Sequence, residues 1–381
     1  MMLDGYFTGA VAELIERARC LKTKVPRNLR RRDYDALRRV CDDRLTDAIK
    51  RLRQLLDEPA FRNPQFRAQR LRAFRRIVAD LDIIESFGIA ALERADHADS
   101  FLNELLECIA KEIHFPHTTP IVTTLSQRYF YVISELNLLC VPLAEGDFLL
   151  HLPDLYHELA HPLLLVPDDP IIEPFQAAHL KSIGTSYDYF NGEIEKERGY
   201  GPRQNRPLLE GWQAAYVKSW ITEFFCDGFA AATLGPAFAW AHLHLCAKRG
   251  GNPFVASAAA TSHPAEDARM SVILKVLSQL GHADSVTKIR ARWSDLVEES
   301  GARAEPEYRR CYPEALLADI AKFCVEGIEA IGCRLARPDA TGDVHHLLNT
   351  AWEMFWKTPA EYPSWERREL DSLRAKIVQR S

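Results

Sequence analysis

The sequence predicts a mainly α-helical protein with a small β-sheet, its central core flanked by helical regions. Three observations carry this. Apolar residues recur at intervals of three and four through the first 115 positions and again beyond 290, the spacing that lines one face of a helix. Short runs rich in β-branched and aromatic residues cluster between 117 and 141, where that helical period breaks off. The chain has 381 residues, 47% hydrophobic and 27% charged, enough for two or three domains with a large buried core. The expected divisions are a helical N-terminal domain over 1–116, a core over 117–290 with an insertion at 166–208, and a C-terminal helical region over 291–381.

In the N-terminal segment Leu37, Val40, Leu45, Ile49, Leu52 and Leu56 form one apolar face, and Leu71, Phe74, Ile77, Val78, Leu81 and Ile84 another. A further run from Phe101 to Ile113 follows Asp99 and Ser100, which suit a helix start. No fixed-period repeat is present. The first eighty residues hold 20 Lys and Arg against 11 Asp and Glu, a net +9 that leaves −14 for the rest. Such a segment could meet nucleic acid or acidic lipid. Its acids are interleaved with its arginines, however, as in Asp42-Asp43-Arg44, and that pattern favours solvated helix faces with local ion pairs.

After Pro116, Ile121–Thr124 and Tyr129–Ile133 read as strands, with Leu136–Val141 a weaker third. Pro153 suits the first turn of the next helix, which must kink or stop soon after Pro162. Residues 166–208 carry Pro and Asp and read equally as a lid or substrate wall and as a surface insertion. A long helix is expected from Leu208 to Leu234, ending at Gly235-Pro236. Another opens near His263 and runs through Leu277. His345-His346 is expected to be a solvated pair, and His114, His117, His242 and His244, lacking suitable acidic neighbours, to be structural. The most apolar stretch, Gly228 to Ala247, is broken by Gly235-Pro236 and reads as core rather than a membrane span. Nine cysteines form no Cys-x-x-Cys pair, and no leader pattern precedes the first helix. Both point to a reduced, cytoplasmic protein.

Three motifs carry chemistry. His157-Glu158-x-x-His161 stacks two imidazoles on one helix face, with Glu158 beside them as a base. Glu223 and Asp227 stand one turn apart within an apolar run, where carboxylates are costly unless a positive charge receives them. Zinc supplies one: Glu223 would be the third ligand and Asp227 would accept the free ring N–H of His157. Ser262-His263-Pro264, followed by Arg269, opens a helix. There the histidine and the arginine could hold an oxyanion and pair with site carboxylates.

Together these motifs resemble the gluzincin metallopeptidases, and most closely the family of CAAX prenyl endopeptidases and bacterial heat-shock membrane proteases. The resemblance covers roughly 130–280. It implies a zincin-like catalytic core, Zn2+ held by His157, His161 and Glu223, Glu158 as base, and a cleft role for His263 and Arg269. The chain departs from those relatives in lacking an acceptable membrane span, in Cys226 where a small residue is common, in Ala265 where a second proline is common, and in Pro162 directly after the metal helix's second histidine. The expectation is therefore a soluble zinc peptidase acting on a peptide or protein, with its substrate and oligomeric state open. The rival is a metal-stabilised scaffold that binds a partner without catalysis.

Overall fold

A computed structural model describes residues 2–26, 32–58, 64–95, 99–126, 130–143, 145–166, 169–197, 206–256 and 262–378. It is mainly α with a small three-stranded sheet. The chain packs as two compact units, residues 1–103 with 120–143, and residues 104–119 with 144–381. These units cut across the expected divisions at 116 and 290. The strands group with the N-terminal helices, because Leu138 and Cys140 enter the same apolar cluster as Leu45 and Leu52.

In the first unit, helix α1 (Met2–Lys24) precedes α2 (Asp35–Asp57) and α3 (Arg67–Ile83). The last continues through a π-helical stretch at Ile84–Ile89 into α4 (Ala90–Arg94). On α2, Leu37, Cys41, Leu45, Ala48, Leu52 and Leu55 are buried, a stripe at the three-and-four period. Each fully buried leucine contributes about 1.5–3 kcal/mol. Arginines of this unit meet nearby acids: Arg17 with Asp82 at 2.8 Å and Arg51 with Asp80 at 3.1 Å.

The unit boundary falls within α5 (Ser100–Glu112). Strand β1 (Ile121–Ser126) lies parallel to β3 (Leu138–Pro142), and β2 (Tyr131–Ile133) pairs antiparallel with β3, giving the order β1-β3-β2. The expected second strand began at Tyr129, which lies outside the described residues. Asn103 substitutes for a neighbouring strand along β1. Its amide nitrogen donates to the Val122 carbonyl, and its oxygen accepts from the Val122 N–H, both at 2.8 Å. An edge strand's backbone groups would otherwise be buried without partners.

The second unit holds α6 (Asp154–Leu165), α7 (Glu173–Glu197), α8 (Arg206–Ala215), α9 (Ile221–Leu234), α10 (Pro236–Arg249), α11 (Glu266–Gln279), α12 (Ala283–Ser300), α13 (Pro306–Cys311), α14 (Glu314–Ala330), α15 (Asp343–Lys357) and α16 (Tyr362–Val378). Helix α9 is its centre. Apart from Thr222, every one of its residues is buried, and α6, α10, α11 and α14 all pack against it. It joins α8 through a π-helical turn at Tyr216–Trp220 and stops at Gly235, whose φ of +85° suits a residue without a Cβ. Helix α6 runs to Leu165, within a turn of Pro162.

One expectation is filled in here and another needs correction. The 166–208 segment is a packed helix over most of its described length. Residues 173–197 form a helix that packs on α14 and buries Phe175 and Phe190 fully. His345 is not solvated: it is buried, with Nδ1 lacking a hydrogen-bond partner, while His346 is exposed.

Candidate metal centre

Helices α6 and α9 lie side by side in the second unit and bring the first two motifs together. His157 and His161, one turn apart on α6, have ring centroids 5.2 Å apart. From α9, Asp227 Oδ1 lies 3.0 Å from His157 Nδ1. In a neutral ring with that nitrogen donating, the lone pair belongs to Nε2, which lies 3.5 Å from Glu223 Oε2. His263 Nε2 approaches the same oxygen at 3.4 Å. Despite these neighbours Glu223 Oε2 is buried without a well-formed hydrogen bond, and so is Glu158 Oε2, which lies 3.9 Å from His161 Nε2. Two orphaned carboxylate oxygens beside two imidazoles in one buried spot fit a cation, since each would otherwise be desolvated for nothing.

The electrostatics follow from burial and from Asp227. Burial opposes a charge on His157, but the hydrogen bonds to Asp227 and Glu223 outweigh it and lift its pKa to about 10. Burial likewise opposes ionisation of Glu223, yet His157 holds its carboxyl down to about 2. Glu158 has no such partner, and burial pushes it up to about 7. His161 is pushed down to about 4 by burial and by the charge on His157, so it is a neutral imidazole at pH 7.

Arg269 takes the carboxylate-pairing part of its expected role. It is buried on α11 and donates to both oxygens of Asp227, Nε to Oδ2 and Nη2 to Oδ1, each at 2.7 Å. A guanidinium committed twice over to one carboxylate is not free to hold a substrate. It orients Asp227, and through it His157, and so is a positioning residue. His263 stays at the opening, its side chain 54% exposed.

Cys226 was read from the sequence only as a departure. In the structure it is fully buried, and it, rather than Glu223, completes with His157 and His161 a group of ligand atoms lying within 4.8 Å of one another. The helical period carried that signal, because residue 226 follows 223 by one turn on the same face. Burial keeps its thiol protonated far above the ordinary range. His242 is also changed: Glu266, distant in sequence, lies 3.5 Å from its Nε2 and gives it the acidic neighbour that local sequence lacked.

No protein-family description, curated protein or solved structure matches this chain.

Proposed function

We propose that the protein is a zinc-dependent metallopeptidase of gluzincin type, hydrolysing a peptide or protein substrate. The observation that carries this reading is the pairing of His157 with Glu223 and of His161 with Glu158 on two adjoining helices, with a carboxylate oxygen of each glutamate buried and unsatisfied. His157, His161 and Glu223 would hold the ion. Glu223 is preferred to Cys226 as the third protein ligand because its Oε2 lies 3.5 Å from His157 Nε2 and is buried without a hydrogen-bond partner.

Zinc, when bound, supplies Lewis acidity that polarises a carbonyl and lowers the pKa of water. This chain's own residues do the rest. Glu158, buried with its Oε2 3.9 Å from His161 Nε2, is the group placed to carry the proton. It takes a proton from the attacking water and returns it to the leaving amine. Asp227 keeps the Nδ1 proton of His157 in place. His263, exposed beside Glu223, donates to the substrate carbonyl as negative charge grows on it.

The reading carries a reducing, cytoplasmic setting, supported by nine cysteines that are all free. No described helix is long and apolar enough to cross a membrane.

The test compares purified full-length protein with its Glu158→Gln form, each loaded with zinc and incubated with a mixed peptide library whose new termini are mapped by mass spectrometry. Zinc bound equally by both forms, with at least one ion per chain, and cleavage falling at least a hundredfold in the variant, is the expected result. Equal cleavage by both forms, or no zinc uptake by either, would overturn the assignment.

A further inference from the structure

Helix α10 repeats the four-residue spacing of the histidine pair on α6, beside the first centre: Phe238, one turn before His242, stacks on His157. His242 and Cys246 stand four residues apart, so both side chains project from one face. Their Nε2 and Sγ atoms are 3.8 Å apart. The first residue of α11, Glu266, brings its Oε2 to 3.5 Å from the same Nε2. Tetrahedral zinc with bonds of about 2.0–2.3 Å sets neighbouring ligand atoms roughly 3.4–3.6 Å apart, so these separations need shift only by tenths of an ångström.

We propose that His242, Cys246 and Glu266 form a second metal site, separate from the first, that takes one thiophilic divalent transition-metal ion and ties α10 to the first turn of α11.

Several features of the surroundings support this. Glu266 Oε2 is a buried atom without a hydrogen-bond partner, although His242 and Arg269 are close. Arg269 Nη1, at 3.6 Å, would repel an ion if its charge were free. That charge is already met by Asp227 through two bonds of 2.7 Å. His242 is nearly inaccessible, and Trp293 stacks on its ring with centroids 5.9 Å apart, so the imidazole is held in one plane before any ion arrives. The Glu266 carbonyl lies 3.1 Å from His242 Nε2 and offers a further oxygen once the proton on that nitrogen moves to Nδ1. Cys246 and Glu266 are only half-buried, which leaves an approach from solvent and a fourth position for water. A thiolate, an imidazole and one carboxylate suit zinc, and cobalt in its place, better than calcium or magnesium.

The site also has a structural consequence. It fixes the turn of α11 that precedes Arg269, and Arg269 holds Asp227. The proposal does not depend on the peptidase reading, because its ligands are none of those assigned to the first centre.

Cobalt(II) tests it directly, since a thiolate bound to cobalt gives a near-ultraviolet charge-transfer band that imidazole and carboxylate ligands do not. Metal-free full-length protein is titrated with Co2+, alongside His161→Ala, Cys226→Ser, Cys246→Ser and Glu266→Gln variants. The expected result is one equivalent of cobalt whose charge-transfer band survives His161→Ala and Cys226→Ser, is lost in Cys246→Ser, and needs at least tenfold more cobalt to develop in Glu266→Gln. Circular dichroism of each variant checks its helices. A wild-type protein with no thiolate band overturns the proposal, as does a band lost in Cys226→Ser and kept in Cys246→Ser, which would give the thiolate to the first centre. Failure of the first centre reads differently, as loss of the cobalt equivalent that is sensitive to His161→Ala.

Discussion

Asp227 is fully buried and accepts from both Arg269 and His157, so one carboxylate sets the tautomer of the imidazole and neutralises the guanidinium. Its pKa lies far below the usual carboxylate range: burial opposes that, and Arg269 outweighs it. Removing either partner alone leaves a buried charge uncompensated, which costs about 3–5 kcal/mol. Asp227→Asn and Arg269→Gln should each destabilise by that order in urea unfolding, and the double variant should cost clearly less than the two together. Simple additivity would mean that the pair is not coupled. His345 offers a contrast, being a buried histidine without an acid. Burial first, then the charges of Arg334 and its neighbours, pushes its pKa down to about 4. The unfolded imidazole takes up a proton near 6.5. Between those values the unfolded chain binds more protons, so the contribution is complete above about pH 6.5 and is lost as pH falls toward 4. Stability measured at pH 5 and at pH 7 should differ, with on the order of 1–2 kcal/mol of the difference removed in His345→Gln; an unchanged pH slope would contradict this burial.

At the scale of elements, the second unit depends on helices approaching closely at glycines. A Cβ on Gly228 of α9 would lie 2.5 Å from the Cys324 Sγ of α14, and one on Gly327 of α14 would lie 2.9 Å from Ala178 Cβ and 3.2 Å from the Cα of Phe175. The first clash is with a side chain and the second partly with backbone. Gly228→Ala should therefore cost about 1–3 kcal/mol and be largely relieved by adding Cys324→Ala, whereas Gly327→Ala has no such single remedy. Thermal unfolding of the wild type and these variants, with Gly327→Ala also combined with Ala178→Gly, checks the difference, and equal rescue at both positions would sink the argument. This level was only partly legible in the sequence. Helices with a one-sided apolar stripe, such as α2, announced themselves by period. The long helix expected over 208–234 is present, but its π-helical turn at Tyr216–Trp220 has no local signature. Helix α7 was missed because Asp168, Asp169 and Pro170, together with a polar run near 187–198, suggested a loop, while Phe175 packs beside Gly327 of α14 and Phe190 against Trp212 and Tyr216, all distant in the chain.

For the whole molecule, sequence order is a poor guide to which segments fold together. Strands β1 to β3 precede α6 almost directly, yet they pack with the N-terminal helices, because hydrophobic burial does not depend on adjacency in the chain. The candidate site was more legible than the division into units, since His157, His161, Glu223 and Asp227 lie on two helices whose periodicity fixes their faces. Cys226 at the first centre and Glu266 beside His242 needed three-dimensional contacts to be found. The charge asymmetry also acquires a local meaning, as arginines of the first unit meet acids of that unit. The division into two units makes the effect of metal regional. An ion held by α6 and α9 stabilises only states in which those helices are together, by about 2.7 kcal/mol when free zinc is a hundred times its dissociation constant. Hydrogen exchange with and without a chelator should then show zinc-dependent protection at residues 155–165 and 221–234, and none at residues 2–24 or 35–57. In Glu223→Gln the difference at α6 and α9 should shrink toward nothing. Protection spread evenly over both units, or zinc protection undiminished in that variant, would remove Glu223 from the ligand set and with it the assignment of the first centre.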